Sequence, residues 1–368
     1  MKIVWFVHTI SSCWNNGNAH FLRGLGRSLH KLGHDVLFCE PCGNWSETNL
    51  TIDHGTAPLN AFRRAFPDLR VQQYEAAQPD LGALTHGADL VVVHEWNEAS
   101  LVNALGNMRR RGAPFTLLFH DTHHRAATAP GSMRQFDLSG FDGVLAFGEV
   151  IAEIYRKQGC ANRAWAFHEA ADTTTFFPRA AERECDLVWI GNWGDEERSA
   201  ELHDFLIEPA QELDLRAQMY GVRYPATAVE ELWSRGIEYR GWLANHKAPI
   251  AFAKAAFAIH VPRRPYAAAL RGIPTIRVFE ALACGIPLIC APWEDSERLF
   301  PPGCYLSARD GDEMRMRMRD VLHDEDLRRA LMENGMAAIK ARHTCDHRAR
   351  QLLGIYDSLN LTRAREAA

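Results

Sequence analysis

The chain has 368 residues, which is long enough for two domains with separate hydrophobic cores. Its composition, 47% hydrophobic and 24% charged, is ordinary for a globular protein, and a formal net charge of −5 argues against nucleic-acid binding through bulk electrostatics. Nine cysteines without a framework spacing favour reduced thiols in a cytoplasmic protein over a disulfide scaffold.

The first half of the chain opens with a strand, a helix and a second strand. Residues 3–7 form a predicted strand that is too short for a signal-peptide core. No run approaches the roughly 18 apolar residues of a membrane span, which leaves only peripheral membrane contact open. A small polar loop at residues 11–18 precedes the helix, and ligands bind at such loops in doubly wound sheets. The loop lacks the G-x-G-x-x-G spacing and its distal acidic residue, which argues against a dinucleotide oxidoreductase.

The most polar strand end is the sequence HDTHHR at residues 120–125, after a predicted buried strand at residues 115–119. Three interpretations compete: a metal site, a loop of solvated histidines, and active-site groups at the carboxyl edge of the sheet. Neighbouring residues on one loop rarely converge on one ion, so the metal interpretation is the weakest. We favour active-site groups and predict no metal site.

A short charged segment at residues 178–184 separates two runs of alternating strands and helices, which is typical of a hinge between domains. The strands of the second half are predicted at residues 187–190, 215–220, 237–239, 256–261 and 287–291. A helix predicted at residues 347–359 follows the second run.

The second half is organised around residues 274–292, PTIRVFEALACGIPLICAP. Thr275 is predicted as the N-cap of a helix over residues 276–284, with its hydroxyl accepting a first-turn amide. Arg277 and Glu280 stand three positions apart on an otherwise apolar helix, so they share one face. They are either an ion pair on a solvated face or a ligand site, with a phosphate on the helix N-terminus and Arg277 and with ribose hydroxyls on Glu280. The apolar flanks favour the ligand site.

This stretch resembles the nucleotide-sugar signature R-[VL]-F-E-A-x-A-C-G-x-P in the C-terminal half of GT-B glycosyltransferases, and most closely that of their CgeB-like group. The segments SSCWNNGNAH, RAWAFHEAADTTTFF, WIGNWGDEER and YGVRYP extend the resemblance over nearly the whole chain. It implies an α/β GT-B fold with two Rossmann-like domains facing an interdomain cleft. Residues 1–178 would form the acceptor-side domain and residues 179–345 the donor domain, and a helix in residues 346–368 would cross back to the first domain.

The resemblance also implies the site residues. His120 and Asp121 match the position close to the transferred sugar, and Arg277 would stabilise the leaving diphosphate, so these three are the predicted catalytic residues. The predicted donor-binding residues lie in strand-end loops or on the 276–284 helix with its N-cap, and they are Asn16, Gly17, Gly191, Asn192, Arg198, Tyr220, Gly221, Leu243, Thr275, Ile276, Arg277 and Glu280. A simple turn rich in Asn and Gly is an equal alternative for Asn16 and Gly17.

One departure from the wider retaining family concerns the donor sugar. That family has two glutamates eight positions apart, of which the second matches Glu280, whereas Gly272 stands in the place of the first. The contact with the sugar would then pass to Arg264, Tyr266 or Arg271, among which the sequence does not choose.

The predicted function is the transfer of a sugar from a nucleotide diphosphate-sugar donor to an acceptor hydroxyl, independent of metal and with retention of anomeric configuration. No cofactor is predicted besides this donor substrate. The acceptor, whether a saccharide, a lipid-linked molecule or a small molecule, is not specified. Two alternatives stay open: a nucleotide-sugar epimerase or phosphorylase on the same fold, and a catalytically weak partner that binds a sugar or polymer.

Overall fold

The chain folds as two compact α/β units. Unit 1 consists of Met1–Glu169 with Cys345–Ala368, and unit 2 of Ala170–Thr344. The structure, a computed structural model, describes residues 1–159 and 163–366, so the last two residues of the predicted segment 346–368 lie outside the described residues. The first segment of unit 1 ends at Glu169, before the boundary that the sequence predicts at residue 178. The domain assignment made from the sequence stays a prediction.

Unit 1 is built on a parallel sheet. Within the described residues its strands are β1 (Lys2–Phe6), β2 (Asp35–Pro41), β3 (Arg70–Tyr74), β4 (Leu90–His94), β5 (Thr116–Asp121), β6 (Gly143–Ala146) and β7 (Ala164–Ala166). They lie in the order β3-β2-β1-β4-β5-β6-β7. Every residue of β4 and β5 is buried, because crossover helices cover both faces of a parallel sheet. The polar strand β3, RVQQY, forms one edge of the sheet and is mostly exposed.

The helices of unit 1 connect these strands and return at the end of the chain. They are α1 (Asn18–Lys31), α2 (Trp45–His54), α3 (Ala57–Ala65), α4 (Leu81–Thr85), α5 (Ala99–Arg110), α6 (Arg125–Thr128), α7 (Pro130–Met133), α8 (Glu149–Gln158) and α17 (Cys345–Glu366). The long helix α17 packs against α1. Arg348 Nε donates to the carbonyl of His168 at 2.8 Å, and Arg363 forms an ion pair with Asp142. Polar contacts to backbone and carboxylate therefore fix α17 to this unit.

Unit 2 repeats the architecture. Its strands in the described residues are β8 (Cys185–Ile190), β9 (Ala217–Tyr220), β10 (Glu238–Tyr239), β11 (Ala255–His260), β12 (Leu288–Cys290) and β13 (Leu306–Ser307), in the order β10-β9-β8-β11-β12-β13. All paired neighbours are parallel.

The helices of unit 2 are α9 (Ser199–Leu202), α10 (Glu208–Glu212), α11 (Ala226–Ser234), α12 (Ala248–Ala253), α13 (Arg264–Ala269), α14 (Ile276–Ala283), α15 (Gly311–His323) and α16 (Glu325–Arg342). A π-helical turn at His203–Ile207 joins α9 to α10, in which Pro209 is the second residue. Proline has no amide hydrogen to donate, and the wider turn accommodates that loss without breaking the helix. No helix among the described residues combines the length and apolar character that crossing a membrane requires.

Asp142 provides a test of how α17 is fixed. Its carboxylate accepts from Arg109, Arg363 and the Leu117 amide. Burial would raise the pKa of Asp142, but these hydrogen bonds outweigh it and lower the pKa. We expect Asp142→Asn to lower the free energy of unfolding by about 1.5–3 kcal/mol at pH 7, measured by chemical denaturation.

A depressed folded-state pKa stabilises the protein above the unfolded value of about 3.9, and this contribution is lost as the pH falls further. The difference between the wild type and Asp142→Asn should therefore shrink below about pH 4. The exposed Asp68 is the matched control, since its carboxylate forms no ion pair with any other residue that the structure describes. An equal, pH-independent loss in both variants would contradict the assignment.

Candidate functional site

In unit 2 the strand order reverses between β8 and β11, because the chain adds β9 and β10 on one side of β8 and β11 on the other. The loop that follows β8 and the loop that follows β11 therefore start side by side at the carboxyl edge of the sheet. Ligands of doubly wound sheets bind at such a point. The loop holds the predicted residues Gly191, Asn192 and Arg198, and β11 ends at His260.

Arg198 is a buried cation held by neutral groups. Its side chain donates to the carbonyl of Val261 at 3.1 Å and to the backbone and side-chain oxygens of Asn192 at 2.5 Å. The guanidinium lies 5.0 Å from the ring centre of Trp189, and Nε is buried without a hydrogen-bond partner. Burial, and then Arg263, lower the pKa of Arg198 to about 10, so the group stays charged at neutral pH. Among the described residues no carboxylate forms an ion pair with it.

Thr275 is the N-cap of α14, as predicted, but the predicted capping hydrogen bond is wrong. Its hydroxyl lies 3.1 Å from His260 Nε2 instead of capping an amide of the first turn. His260 is only 2% exposed, and its Nδ1 has no hydrogen-bond partner. Burial first, then the charges of Arg198 and Arg277, lower the pKa of His260 to about 3. Its ring is therefore neutral at physiological pH.

Arg277 and Glu280 share one face of α14, as their spacing predicts, and they form an ion pair with Arg277 Nη1 at 2.5 Å from Glu280 Oε2. The other carboxylate oxygen accepts from Asn245 Nδ2 at 2.9 Å. The Glu280 side chain is 1% exposed and that of Arg277 16%, so the pair is not on a solvated face. The predicted Ile276 is buried in the first turn of the same helix.

The remaining predicted residues of unit 2 lie along the ends of β8, β9 and β10. The amide of Gly191 donates to the carbonyl of Tyr220, and the amide of Gly221 donates to Gly241. Gly221 has φ +156°, and a Cβ there would stand 1.9 Å from the Gly191 carbonyl oxygen, so no larger residue fits. Leu243 follows in the next loop and is half-buried. These loops form one closely packed edge.

Position 272, held by a glycine, also has no room for a side chain. Its φ is +87°, and an added Cβ would stand 2.6 Å from Cγ of Glu297, so the Glu297 side chain occupies the adjoining space. Of the residues considered as substitutes for a glutamate here, Arg264 pairs with Glu201 and Arg271 with Glu294.

Unit 1 has its own reversal of strand order, between β1 and β4. Asn16 and Gly17 lie before α1, where Gly17 is the exposed N-cap, and Asn16 Nδ2 donates to the Thr9 carbonyl at 3.2 Å. The same loop brings Asn18 to His94 at the end of β4. Asn16 and Gly17 thus lie at a carboxyl edge, but in a different unit from the other predicted donor-binding residues.

The loop after β1 is anchored by a buried glutamate. The expectation that a distal acidic residue is lacking was wrong, because Glu40 stands next to the last residue of β2. Glu40 is fully buried and accepts from the amide of Ile10 at 2.7 Å and from the hydroxyl of Ser11 at 2.6 Å. Arg23 fixes the same loop by donating to the Ile10 carbonyl. The carboxylate is occupied by its own chain, so it offers little to a dinucleotide ribose.

His120 lies inside the core of unit 1 on β5, with 0% exposure. Trp5, Phe21, His94 and Phe167 surround its ring at centroid distances of 5.5, 6.3, 5.3 and 5.9 Å. Neither ring nitrogen has a hydrogen-bond partner. Burial lowers the pKa of His120 to about 3, so the imidazole is neutral.

Asp121 belongs to a buried acidic pair that the sequence analysis did not identify. Asp121 accepts from the His123 amide at 3.0 Å and from the Tyr155 hydroxyl at 2.7 Å. Glu95, one residue past β4, forms an ion pair with Arg125. Burial raises the pKa of Glu95, Asp121 raises it further and Arg125 opposes the shift, while burial also raises the pKa of Asp121. Across residues 1–159 and 163–366, no three His, Cys, Asp or Glu side chains are grouped so as to hold a metal ion.

His260, Asn245 and Glu95 are the polar residues at these edges that sequence reasoning missed. A signal existed for His260, because it is the polar residue near the end of the predicted apolar strand at residues 256–261. No signal in the sequence marks Asn245, because its contact with Glu280 joins residues that are distant in sequence.

Comparison with known proteins supplies a family match and a fold. Residues 198–354, less than half of the chain, match the sequence model of a family described as glycosyl transferase-like. No protein of curated function matches the chain significantly.

Among solved structures, a glycosyltransferase of Rickettsia africae aligns with a TM-score of 0.68 at 10% identity, over 97% of this chain and 98% of that one. The Anabaena HepE protein in complex with UDP and glucose aligns at 0.66 and 14%, over 97% and 100%. A sucrose-phosphate synthase of Thermosynechococcus elongatus aligns at 0.65 and 14%, over 98% and 100%. The GT-B fold is thereby confirmed, and the partial family match agrees with the predicted enzyme class, glycosyltransferase. The CgeB-like group stays a prediction.

Replacing the neighbouring histidines His120 and His94 of unit 1 by phenylalanine should change the stability of the protein by different amounts. His120→Phe sacrifices no hydrogen bond, so we expect its free energy of unfolding to change by less than about 1.5 kcal/mol. His94 has polar contacts at both ring nitrogens, so His94→Phe should cost about 1–3 kcal/mol more. If His120 acts in catalysis, His120→Phe should still lower turnover more than donor affinity. Chemical denaturation and initial-rate kinetics measure these effects, and equal stability losses in the two variants would contradict the described surroundings.

Proposed function

We propose that this protein transfers a sugar from a nucleoside diphosphate sugar to an acceptor hydroxyl, without a metal ion and with retention of anomeric configuration. The observation that carries the proposal is the buried guanidinium of Arg198, which has no ion-pair partner among the described residues. A buried charge without a counter-charge is costly, and an anionic ligand would supply the missing one.

The diphosphate is assigned to the groups around this cation. Arg198, the guanidinium of Arg277 and the N-terminus of α14 all belong to one strand-order reversal in unit 2. Amides of a first helical turn have no partner within the helix and favour negative charge. The positive field is set before the reaction, so it stabilises the charge that develops on the leaving diphosphate. The UDP and glucose in the HepE structure agree with this class of donor.

The packed loops beside this cluster are assigned to the nucleoside. Glu280 lies between Arg277 and Asn245 and can accept from ribose hydroxyls with its remaining lone pairs. Glu297, whose side chain lies against Gly272, is the group we assign to the donor sugar in place of the glutamate that is missing there. The acceptor is assigned to unit 1, with His120 and Asp121 as the proposed catalytic residues.

Arg198 and Arg277 should contact the phosphates of the donor and not its nucleoside. Losing a charge-assisted hydrogen bond costs about 1.5–3 kcal/mol, roughly tenfold to a hundredfold in affinity. We expect Arg277→Ala and Arg198→Met each to weaken UDP by that order and uridine much less, measured by isothermal titration calorimetry. Arg309→Ala is the control, because that side chain is 85% exposed. Equal losses for both ligands would mean that the arginines support the fold and do not contact phosphate.

Glu280→Gln should act on a different part of the donor. It keeps the shape but removes an anionic acceptor that also holds Arg277, so the affinities for uridine and UDP should fall together, by about tenfold. Titration of both ligands separates this pattern from that of Arg277→Ala. If both Glu280→Gln and Arg277→Ala bind UDP and uridine as the wild type does, the donor does not bind at α14.

The reaction itself is tested with UDP-sugars and a panel of saccharide, lipid-linked and small-molecule acceptors. Product formation that depends on the acceptor supports the proposal, and NMR of the anomeric proton determines whether configuration is retained. Turnover of the donor without an acceptor would favour an epimerase. Donor binding with no transfer to any acceptor would favour a binding protein.

A further inference from the structure

His260 has one hydrogen-bonded ring nitrogen and one without a partner, although its side chain is almost completely buried. Nε2 lies 3.1 Å from the hydroxyl of Thr275, and Nδ1 has no partner. An imidazole removed from water with an unsatisfied nitrogen is unfavourable, unless a ligand completes its hydrogen bonds.

The charges around this ring are positive. Arg198 bonds the carbonyl of Val261, the residue after His260, and Arg277 is in the first turn of α14, directly after Thr275. On the adjacent strand β12, Cys290 is the register partner of His260. The helix α12, APIAFA, has no titratable residue, and α15 contributes Met314 and Met318 to the core. On the other adjacent strand, β8, the titratable residues Cys185 and Asp186 lie at the opposite end from His260. The charged groups that act on the ring are therefore the guanidinium groups of Arg198 and Arg277, and Arg277 is paired with Glu280.

In this environment the free ring is neutral, because burial and the two arginines lower the pKa of His260 to about 3. A neutral imidazole has a single N–H, so it cannot donate from both nitrogens. An anion placed between the two arginines would reverse the local charge balance, since a nearby negative charge favours the protonated form.

We infer that His260 contacts the diphosphate and takes up a proton from solvent when this anion binds. The inference rests on the proposed function, which places the diphosphate at Arg198 and Arg277. In the bound state Nε2–H donates to the Thr275 hydroxyl and Nδ1–H donates to a phosphate oxygen, so both nitrogens are satisfied. Release of the diphosphate returns the proton to solvent.

The sign of the pH dependence follows from this change. Binding raises the pKa of the ring, so binding takes up a proton and the affinity for diphosphate is greater at lower pH. Between the free and bound pKa values the affinity falls by up to tenfold for each unit of rising pH. UDP also titrates near pH 6, through its terminal phosphate, so the contribution of the ring is the difference between the wild type and a variant that cannot ionise at this position.

The experiment is calorimetric titration of the full chain with UDP, GDP, ADP and inorganic pyrophosphate, in buffers of different ionisation enthalpy, from pH 5.5 to 7.5. His260→Asn keeps an amide at the position of Nδ1 but cannot take up a proton. His323→Asn, at the C-terminal end of α15, is the matched control. We expect the wild type and His323→Asn to take up as much as one proton more than His260→Asn, and the affinity of His260→Asn to depend less steeply on pH.

A second measurement does not depend on the variant folding. In wild-type protein labelled with 13C at histidine, one imidazole should change from the neutral to the protonated form on adding UDP. Diphosphate binding with equal proton uptake in the wild type and His260→Asn, or with no histidine changing its protonation state, would overturn this inference and leave the proposed function standing. If none of the four ligands binds, the proposed function fails, and the inference fails with it.

Discussion

Parallel strands all end at the same edge of a sheet, and in both units that edge takes the polar side chains that the covered faces of the sheet exclude. The central strands β4, β5 and β11 are almost entirely buried and largely apolar until their last one or two residues, and β8 is buried and apolar except at Asp186. Polar groups therefore gather at the strand ends, where the reversal of strand order opens a space between two loops. The positions of His94, Asp121, Arg198 and His260 all follow from this constraint.

The two units use this edge differently. In unit 1 the polar groups of the first loop are already hydrogen-bonded within the chain. Glu40 accepts from its amides and hydroxyls, and Arg23 donates to its carbonyls. In unit 2 the corresponding loop carries Arg198, whose guanidinium contacts carbonyl and amide oxygens and an aromatic ring and forms no ion pair among the described residues. The loop of unit 1 has few groups left with which to bind a ligand, whereas the loop of unit 2 contributes a buried guanidinium that pairs with no carboxylate among the described residues. This asymmetry is why the donor phosphates are assigned to unit 2.

Two buried histidines, one in each unit, are neutral for different reasons. His120 is enclosed by rings, and burial alone accounts for its low pKa. His260 lies beside two cations and a hydroxyl, so its protonation state can change when a ligand alters the local charge. An imidazole enclosed by rings has no neighbouring charge that shifts its pKa, while one in a cationic cluster is able to respond to an anion.

The sequence by itself determined the two alternating α/β runs, most of the buried strands and the helix that begins after Thr275, with Arg277 and Glu280 on one face. These features depend on local periodicity, on glycine and proline positions and on the spacing of Arg277 and Glu280, all of which are readable along the chain. The edge strand β3 was missed because an exposed strand has no apolar run to mark it.

Only the tertiary structure decided which polar groups meet. It paired the Thr275 hydroxyl with His260 instead of a first-turn amide, and it placed Asn245 on the carboxylate of Glu280. Hydrogen bonds of this kind join residues on different strands and loops. Their geometry is fixed by sheet order and packing, and a one-dimensional pattern holds no information about either.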